Sequence, residues 1–427
     1  MTLKQKELTG IKNLSKRLVN AQKDIRILDQ VKWDSTIEHD FFKHKGKKLP
    51  AVDINYYSQH PLPFQPSDKI QEFRQIHHDA QHQFGEYSAI TRLLRRNCDE
   101  YMRAVEMLSA RGTPLFVSLA GELYGNASDA FYPGGPRLSE MGHLLFDILT
   151  TLGSQLATNQ DDVSYTADQA RDILQARLNT YFHTHNVRVL IDDKIVSDAS
   201  AGADKIKLSK TAQFSERELN CLEVHEGWVH VGTTLNGAAQ PYCSFLAKGS
   251  PSCSVLQEGL AVLTEVVTFS AYPGRLRTIM NRVVALDKIS NGADFLDIYR
   301  YFQECGCTEL QSYKQSTRVF RGSTPTGGPF TKDLSYAKGL VLIYNFMRFV
   351  ISQHRIDMIP LLFSGKLTLE DIPLLMELKH EGLLIDPVYL PAQFSDLSGL
   401  SAWLSLSIYF NKFEFNAIKN SFGFLLH

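Results

Sequence analysis

His225-Glu226-Gly227-Trp228-Val229-His230, followed at close range by Gln257-Glu258-Gly259-Leu260-Ala261, is the stretch from which the fold is read. Two imidazoles, a carboxylate beside the first and another carboxylate on a separate apolar segment are the components of a hydrolytic zinc site. Such a site takes three protein ligands from His, Asp, Glu or Cys and keeps one position for water. A neighbouring carboxylate takes that water's proton as it attacks a carbonyl. In the common H-E-x-x-H pattern the histidines stand at i and i+4, about 40° apart around a helix, so both reach one ion. Here they stand at i and i+5, which a regular helix would separate by roughly 140°. One widened π-type turn returns them to one face, and Gly227 eases that distortion. The expectation is a helix that departs from α geometry between His225 and His230.

Working outward, Ser215-x-x-Glu218 reads as a capping box, with Phe214 and Leu219 placed as a hydrophobic staple. A helix should therefore run from about Glu216 to about Val231, before Gly232. Ser254-x-x-Gln257 reads as a second capping box, opening an apolar segment from Val255 to Ser270 that stops ahead of Pro273 and Gly274. The two metal helices are thus expected at about 216–231 and 255–270. Glu258 falls among Val255, Leu256, Leu260, Ala261, Val262 and Leu263, where a carboxylate is costly to bury unless it is paired or bound to metal. An Arg partner or a backbone cap would also satisfy it. Glu265, seven residues on and on the same face, is the runner-up ligand or a partner for a ligating His.

The runs Ala199-Ser-Ala-Gly-Ala-Asp-Lys-Ile-Lys-Leu208, Leu222-Glu-Val-His-Glu-Gly-Trp-Val-His230, Thr233-Thr-Leu-Asn-Gly237 and Gln257-Glu-Gly-Leu-Ala261 occur in that order. Together they resemble the QEGLA-motif proteins, a group that includes the microtubule-associated tyrosine carboxypeptidases, zinc peptidases that remove a C-terminal tyrosine. The resemblance covers roughly residues 60 to 425. It implies that His225, His230 and Glu258 bind zinc and that Glu226 is the catalytic base, in agreement with the chemistry above. It does not carry the substrate, because nothing in the chain identifies a surface for a microtubule or a tubulin tail.

A carboxypeptidase must hold a terminal carboxylate, which Arg does with a bidentate fork and Lys with a point charge. Arg318, Arg321 and Lys332 are the candidates, in that order, and Tyr336 is the candidate donor to the oxyanion. Solvated side chains, or packing for Tyr336, are the plain alternatives. Gly322, Gly327 and Gly328 around Pro325 suggest a flexible loop at the rim of the site. Val187 to Asp192 and Lys205 to Ser209 read as short strands. By analogy with zinc peptidases of this arrangement, an edge strand would lie along the cleft, and the small residues Ala199 to Asp204 would let a peptide approach. His78 and His82 are spaced at i and i+4 but lack a third ligand, and their polar neighbours Arg74, Gln75, Gln81 and Gln83 read as a solvated face.

Helical patterns or caps cover Ser67 to Phe84, Ser88 to Arg111, Leu138 to Leu152, Ala167 to His183, Leu334 to Ser352 and Leu369 to Lys379. The fold class expected is predominantly α with a small mixed β-sheet and a zincin-like metallopeptidase core. A basic N-terminal helical region, residues 1–59, would precede a metallopeptidase domain, residues 60–427. The first 50 residues hold twelve Lys or Arg against six Asp or Glu, a bias read as a solvated amphipathic helix.

With 427 residues and 44% hydrophobic composition, the chain can bury a large core. A net charge of -1 gives no general attraction to nucleic acid or anionic membrane. No secretory signal is recognised, and no stretch approaches the eighteen or more apolar residues of a spanning helix. Cys98, Cys221, Cys243, Cys253, Cys305 and Cys307 form no regular framework, as expected for reduced thiols in the cytoplasm. The sequence therefore points to a cytoplasmic zinc metallopeptidase, a carboxypeptidase acting on a peptide or protein C-terminus, with Zn2+ as cofactor and neither nucleic acid nor membrane as partner. The alternatives are an amidase acting on a small peptide-like metabolite and a metal-stabilised regulatory protein without turnover.

Overall fold

A computed structural model of the protein describes residues 3–156, 165–193, 195 and 197–426. It is predominantly helical, with two small sheets. In the first, β1 (Tyr165–Thr166) pairs antiparallel with β5 (Gln213–Phe214). In the second, β2 (Arg188–Asp192), β3 (Ala199–Ala201) and β4 (Lys205–Ser209) lie in the order β2-β4-β3. β2 runs parallel to β4, with Arg188 opposite Lys205, whereas β3 runs antiparallel, with Ala199 opposite Leu208. The sheet is therefore mixed, and β3 is an outer strand. A tight turn closed by the Gly202 amide on the Lys205 carbonyl, at 2.6 Å, joins β3 to β4.

Alternation fixes this sheet's inner face. In β4, Ile206 and Leu208 are fully buried against Ala170, Leu174 and Leu178 of the helix Ala167–Tyr181, while Lys205 and Lys207, alternating with them, point away. Removing each such aliphatic side chain from water stabilises the fold by about 2 kcal/mol. The helix Glu216–Leu222 adds Leu219 to the same cluster, so the sheet and the candidate metal helix share one core.

A second cluster joins Leu138–Gln155, Pro273–Ser290, Phe295–Glu304 and Glu309–Phe320, where Phe41 meets Phe295, Tyr299 and Tyr313 at ring separations of 5.0–5.5 Å. The third and largest holds Pro66–Phe84, Ala89–Ser109, Cys253–Val267 and Ser335–Ser352. Into it the N-terminal helix Leu3–Gln22 inserts Ile11, Leu14, Leu18 and Ala21, one face at helical spacing.

The helices expected from the sequence are present with ends shifted by a few residues. Those at Pro114–Tyr124 and Pro273–Ser290 are not anticipated by the sequence, where Gly112-Thr-Pro114 reads as a break and Pro273 as the stop of the preceding segment. In fact each Pro stands in the first turn, where its missing N–H costs nothing. A further correction concerns Thr331–Ser352, which is long and apolar enough to cross a membrane by length and composition. In this fold it packs against Cys253–Val267.

Candidate metal centre

Ser215 caps Glu216–Leu222 by accepting from the Glu218 amide, and Glu218 returns the bond to the Ser215 amide at 2.7 Å. Phe214 and Leu219 are buried beside one another's elements, as a staple requires. From Glu223 to Val231 the backbone then changes to a π-helix. Its i→i+5 repeat brings residues five apart to one side, and the His225 and His230 rings sit 4.7 Å apart at 87°. The expected departure from α geometry is present.

The helix does not stop before Gly232. It continues in α form as Gly232–Ala238, with Gly232 at φ -55°, ψ -50°. The sequence reading took Gly232 as a terminator, but polar side chains tie the next turn into the interior. Asn236 donates to the Phe363 and Tyr389 carbonyls at 2.9 and 2.7 Å. Thr233 and Thr234 hydroxyls donate to the Val229 and His230 carbonyls at 2.7 and 2.8 Å, supplying donors where the π segment ends. Gly227 has a packing role as well: a Cβ there would fall 2.6 Å from Leu178 Cδ2.

Glu258 comes from the helix Cys253–Val267, which begins two residues earlier than expected and ends at Val267. The second capping box does not form. Ser254 Oγ donates instead to the Pro251 carbonyl at 3.2 Å, and the Ser252 amide is met by the Glu100 carboxylate at 2.9 Å. Gln257 is drawn inward, where its side-chain oxygen accepts from Thr233 Oγ1 at 2.8 Å and Lys366 Nζ at 2.9 Å. One residue on, Glu258 Oε2 lies 3.3 Å from both His225 Nε2 and His230 Nε2. Burial alone would raise the Glu258 carboxyl; His230, His225 and Lys332 outweigh it and hold the group well below the usual carboxylate range.

Gly259 explains how the helix Ser335–Ser352 approaches this one. A Cβ there would collide with the Gly339 backbone, and one at Gly339 would come within 2.8 Å of Gly259 Cα. The two helices touch backbone to backbone, which places Lys332 and Tyr336 beside Glu258 and His225. Lys332 Nζ is 3.8 Å from Glu258 Oε1, and the Tyr336 ring stacks 6.0 Å from the His225 ring.

Glu265 is not within the three-residue cluster. It is fully buried behind it, with Oε1 2.6 Å from His225 Nδ1 and 3.0 Å from Arg275 Nη2. An Nδ1–H held there leaves Nε2 to face Glu258, the orientation that second carboxylates give to metal-binding histidines. Burial raises the Glu265 carboxyl, but Arg275 and His225 bring it down to about 2. For His225 the cost of burying a charge is outweighed by Glu258 and Glu265, which lift the imidazole to about 9. Sequence reasoning missed Arg275, since a single Arg early in a helix carries no distinguishing signal.

The structure brings three of the four downstream candidates, Arg318, Arg321 and Tyr336, into one arginine-rich cluster. Arg318 Nε binds the buried Asp333 carboxylate, and its Nη2 reaches the Tyr336 hydroxyl at 3.5 Å. Arg321 lies over the Phe330 ring at 5.5 Å, and Arg282, not singled out by the sequence, lies over Tyr336 at 5.7 Å. Burial and the neighbouring arginine Arg318 hold Arg282 and Arg321 down at about 10. Burial raises the Tyr336 hydroxyl, and the Glu258 charge adds to it.

Two other expectations resolve differently. The loop with Gly322, Gly327 and Gly328 is packed, not free. Gly322 adopts φ +83° against the Phe116 ring, its amide donates to Tyr57 Oη at 2.9 Å, and Phe295 N bonds the Pro325 carbonyl at 2.8 Å. His78 and His82 are exposed, and among the described residues no third donor joins them; the sole group of three close metal donors is His225, His230 and Glu258, with ligand atoms within 4.8 Å of one another.

Two neutral nitrogens and one carboxylate oxygen at this spacing fit a zinc ion, and the Glu265 bond fixes the tautomer that such an ion needs. The outer strand β3 packs beside the π segment, so an extended backbone edge borders the cluster. No curated protein matches the chain. The model of one protein family does match, over residues 39–412, and its description is microtubule-associated tyrosine carboxypeptidase. The chain belongs to that family.

Proposed function

We propose that this protein is a zinc-dependent carboxypeptidase that removes a C-terminal residue, tyrosine-like in character, from a peptide or protein. The observation that carries this reading is the π turn that sets His225 and His230 around Glu258 Oε2 at 3.3 Å each. His225, His230 and Glu258 would hold the ion. When bound, zinc supplies Lewis acidity to the attacked carbonyl and lowers the pKa of water.

The chain's own groups do the rest. Glu226 takes the proton from the attacking water and passes it to the leaving amine. The Tyr336 hydroxyl, kept protonated by burial, donates to the oxyanion. Lys332 stands nearest the cluster and Arg318 and Arg321 behind it, so the terminal carboxylate of the substrate is held between them. The outer strand β3 pairs with the substrate backbone. We read the ligand helices and adjoining sheet as a zincin-like core within residues 60–427, with residues 1–59 as a basic helical region attached to it. A cytoplasmic setting suits the six unpaired cysteines, four of them buried.

Zinc content measured together with hydrolysis of a peptide library tests this reading. The parent chain should bind one zinc and release single C-terminal residues. Glu226→Gln should keep the zinc and lose hydrolysis; full activity in that variant would rule out the mechanism.

A further inference from the structure

Lys366, which the sequence did not single out, makes three contacts that meet at the candidate centre. Its Nζ donates to the His230 carbonyl at 3.0 Å, to Gln257 Oε1 at 2.9 Å and to Thr233 Oγ1 at 3.3 Å. An ammonium has three donors and no acceptor, so each proton has one oxygen, and none of the three is a carboxylate. The Lys366 amide is itself fixed by the Leu246 carbonyl at 2.7 Å. The lysine is therefore anchored at both ends.

The acceptors are distributed across the two elements that carry the ligands. His230 is in the π segment, and Thr233 follows it where the helix returns to α form. Gln257 is on the other helix, immediately before Glu258. Thr233 Oγ1 also lies 2.8 Å from Gln257 Oε1 and 2.7 Å from the Val229 carbonyl, which share its one proton, closing a small network around the ammonium. In this way the network crosses between helices at the one level where their ligands must meet. A lysine serving packing alone would need only its aliphatic stem there.

We infer that Lys366 is a positioning residue: its ammonium holds the backbone of His230 and the turn bearing Glu258 at a fixed separation and supports the π turn from outside. Its functional meaning rests on the zinc reading above, whereas its effect on the backbone does not. Removing the ammonium leaves the His230 carbonyl with the Thr234 hydroxyl and Gln257 Oε1 with only a share of the Thr233 proton, so most of the tie between the two helices is lost.

The test compares Lys366→Met and Gln257→Leu with the parent chain, using zinc affinity by chelator competition and amide hydrogen exchange of the metal-free protein. Lys366→Met should weaken zinc binding by about 10- to 100-fold, the usual effect of losing a group that orients ligands. Exchange of the amides of residues 227–235 should quicken about tenfold or more while the helix Ala89–Ser109 keeps its parent rates. If Lys366→Met does not fold, Gln257→Leu, which removes one acceptor, should show a smaller change of both kinds. Zinc affinity within twofold of the parent in a folded variant would overturn the inference, as would exchange that quickens equally in both regions. A parent chain that binds no zinc would sink the zinc reading alone, and exchange at the π turn would still decide the role of Lys366.

Discussion

Replacing Gly259 by Ala adds one methyl group at the closest approach of two helices. That Cβ would stand 2.5 Å from the Gly339 carbonyl oxygen and nearer still to its Cα and carbonyl carbon. Reaching the ordinary contact of 3.4 Å from the nearest of these atoms, the carbonyl carbon at 2.1 Å, requires the backbones to part by about 1.3 Å. The obstacle is main chain on both sides, so no rotamer change relieves it. Overpacking of this kind costs about 1–3 kcal/mol, and the backbone contact puts this site at about 3 kcal/mol. With an unfolding entropy of about 2.1 cal/mol/K per residue, roughly 0.9 kcal/mol/K for the chain, the melting temperature should fall by about 3 °C. Glu258 is the adjacent residue, and metal sites tolerate only about 0.5 Å of misplacement, so zinc affinity should fall by about tenfold or more. Gly232→Ala is the control. There the backbone is helical and the nearest atoms lie 3.8 Å from the added carbon, so the better helix propensity of Ala should stabilise by up to about 1 kcal/mol. Thermal unfolding and chelator competition on both variants decide the matter. Unchanged melting and zinc affinity in Gly259→Ala would refute the packing argument.

Glu265→Gln should weaken zinc binding about 10- to 100-fold in the same competition assay, because His225 loses the carboxylate that orients its ring. Glu258 and Glu265 lift His225 to about 9, so below that pH the metal-free site holds a proton that zinc must displace. Zinc affinity should accordingly rise with pH up to about 9, with proton release seen by calorimetry in buffers of different ionisation enthalpy; binding without proton release counts against this. Asp333→Ala should destabilise the chain by about 3 kcal/mol by leaving Arg318 beside Arg282 and Arg321 without its carboxylate, as denaturant unfolding would show.

Local chemistry made much of this site legible from sequence. The Ser215 box fixed where the helix begins, and the extra residue between His225 and His230 required a π turn that the backbone adopts. Alternation in Lys205 to Ser209 gave a strand, and the buried carboxylates Glu258 and Glu265 stood out against their apolar neighbours. What stayed hidden depends on long-range partners. Gln257 resembled half of a capping box until Thr233 and Lys366 claimed its side chain, and Gly232 resembled a stop until Asn236 anchored the following turn. Arg275, Arg282 and Lys366 are single cations without local pattern, recognisable only once the chain has folded around their acceptors. The packed loop at Gly322 likewise follows from Tyr57 and Phe116, residues more than two hundred positions away.

The most direct test of the account is an anomalous-scattering map at the zinc absorption edge from crystals of the zinc-loaded chain. The expected result is one strong peak bound by Nε2 of His225, Nε2 of His230 and a carboxylate oxygen of Glu258, at about 2.0–2.2 Å from each, with His225 and His230 still joined by a π turn. A peak elsewhere, or a regular helix with the two rings turned apart, would contradict it.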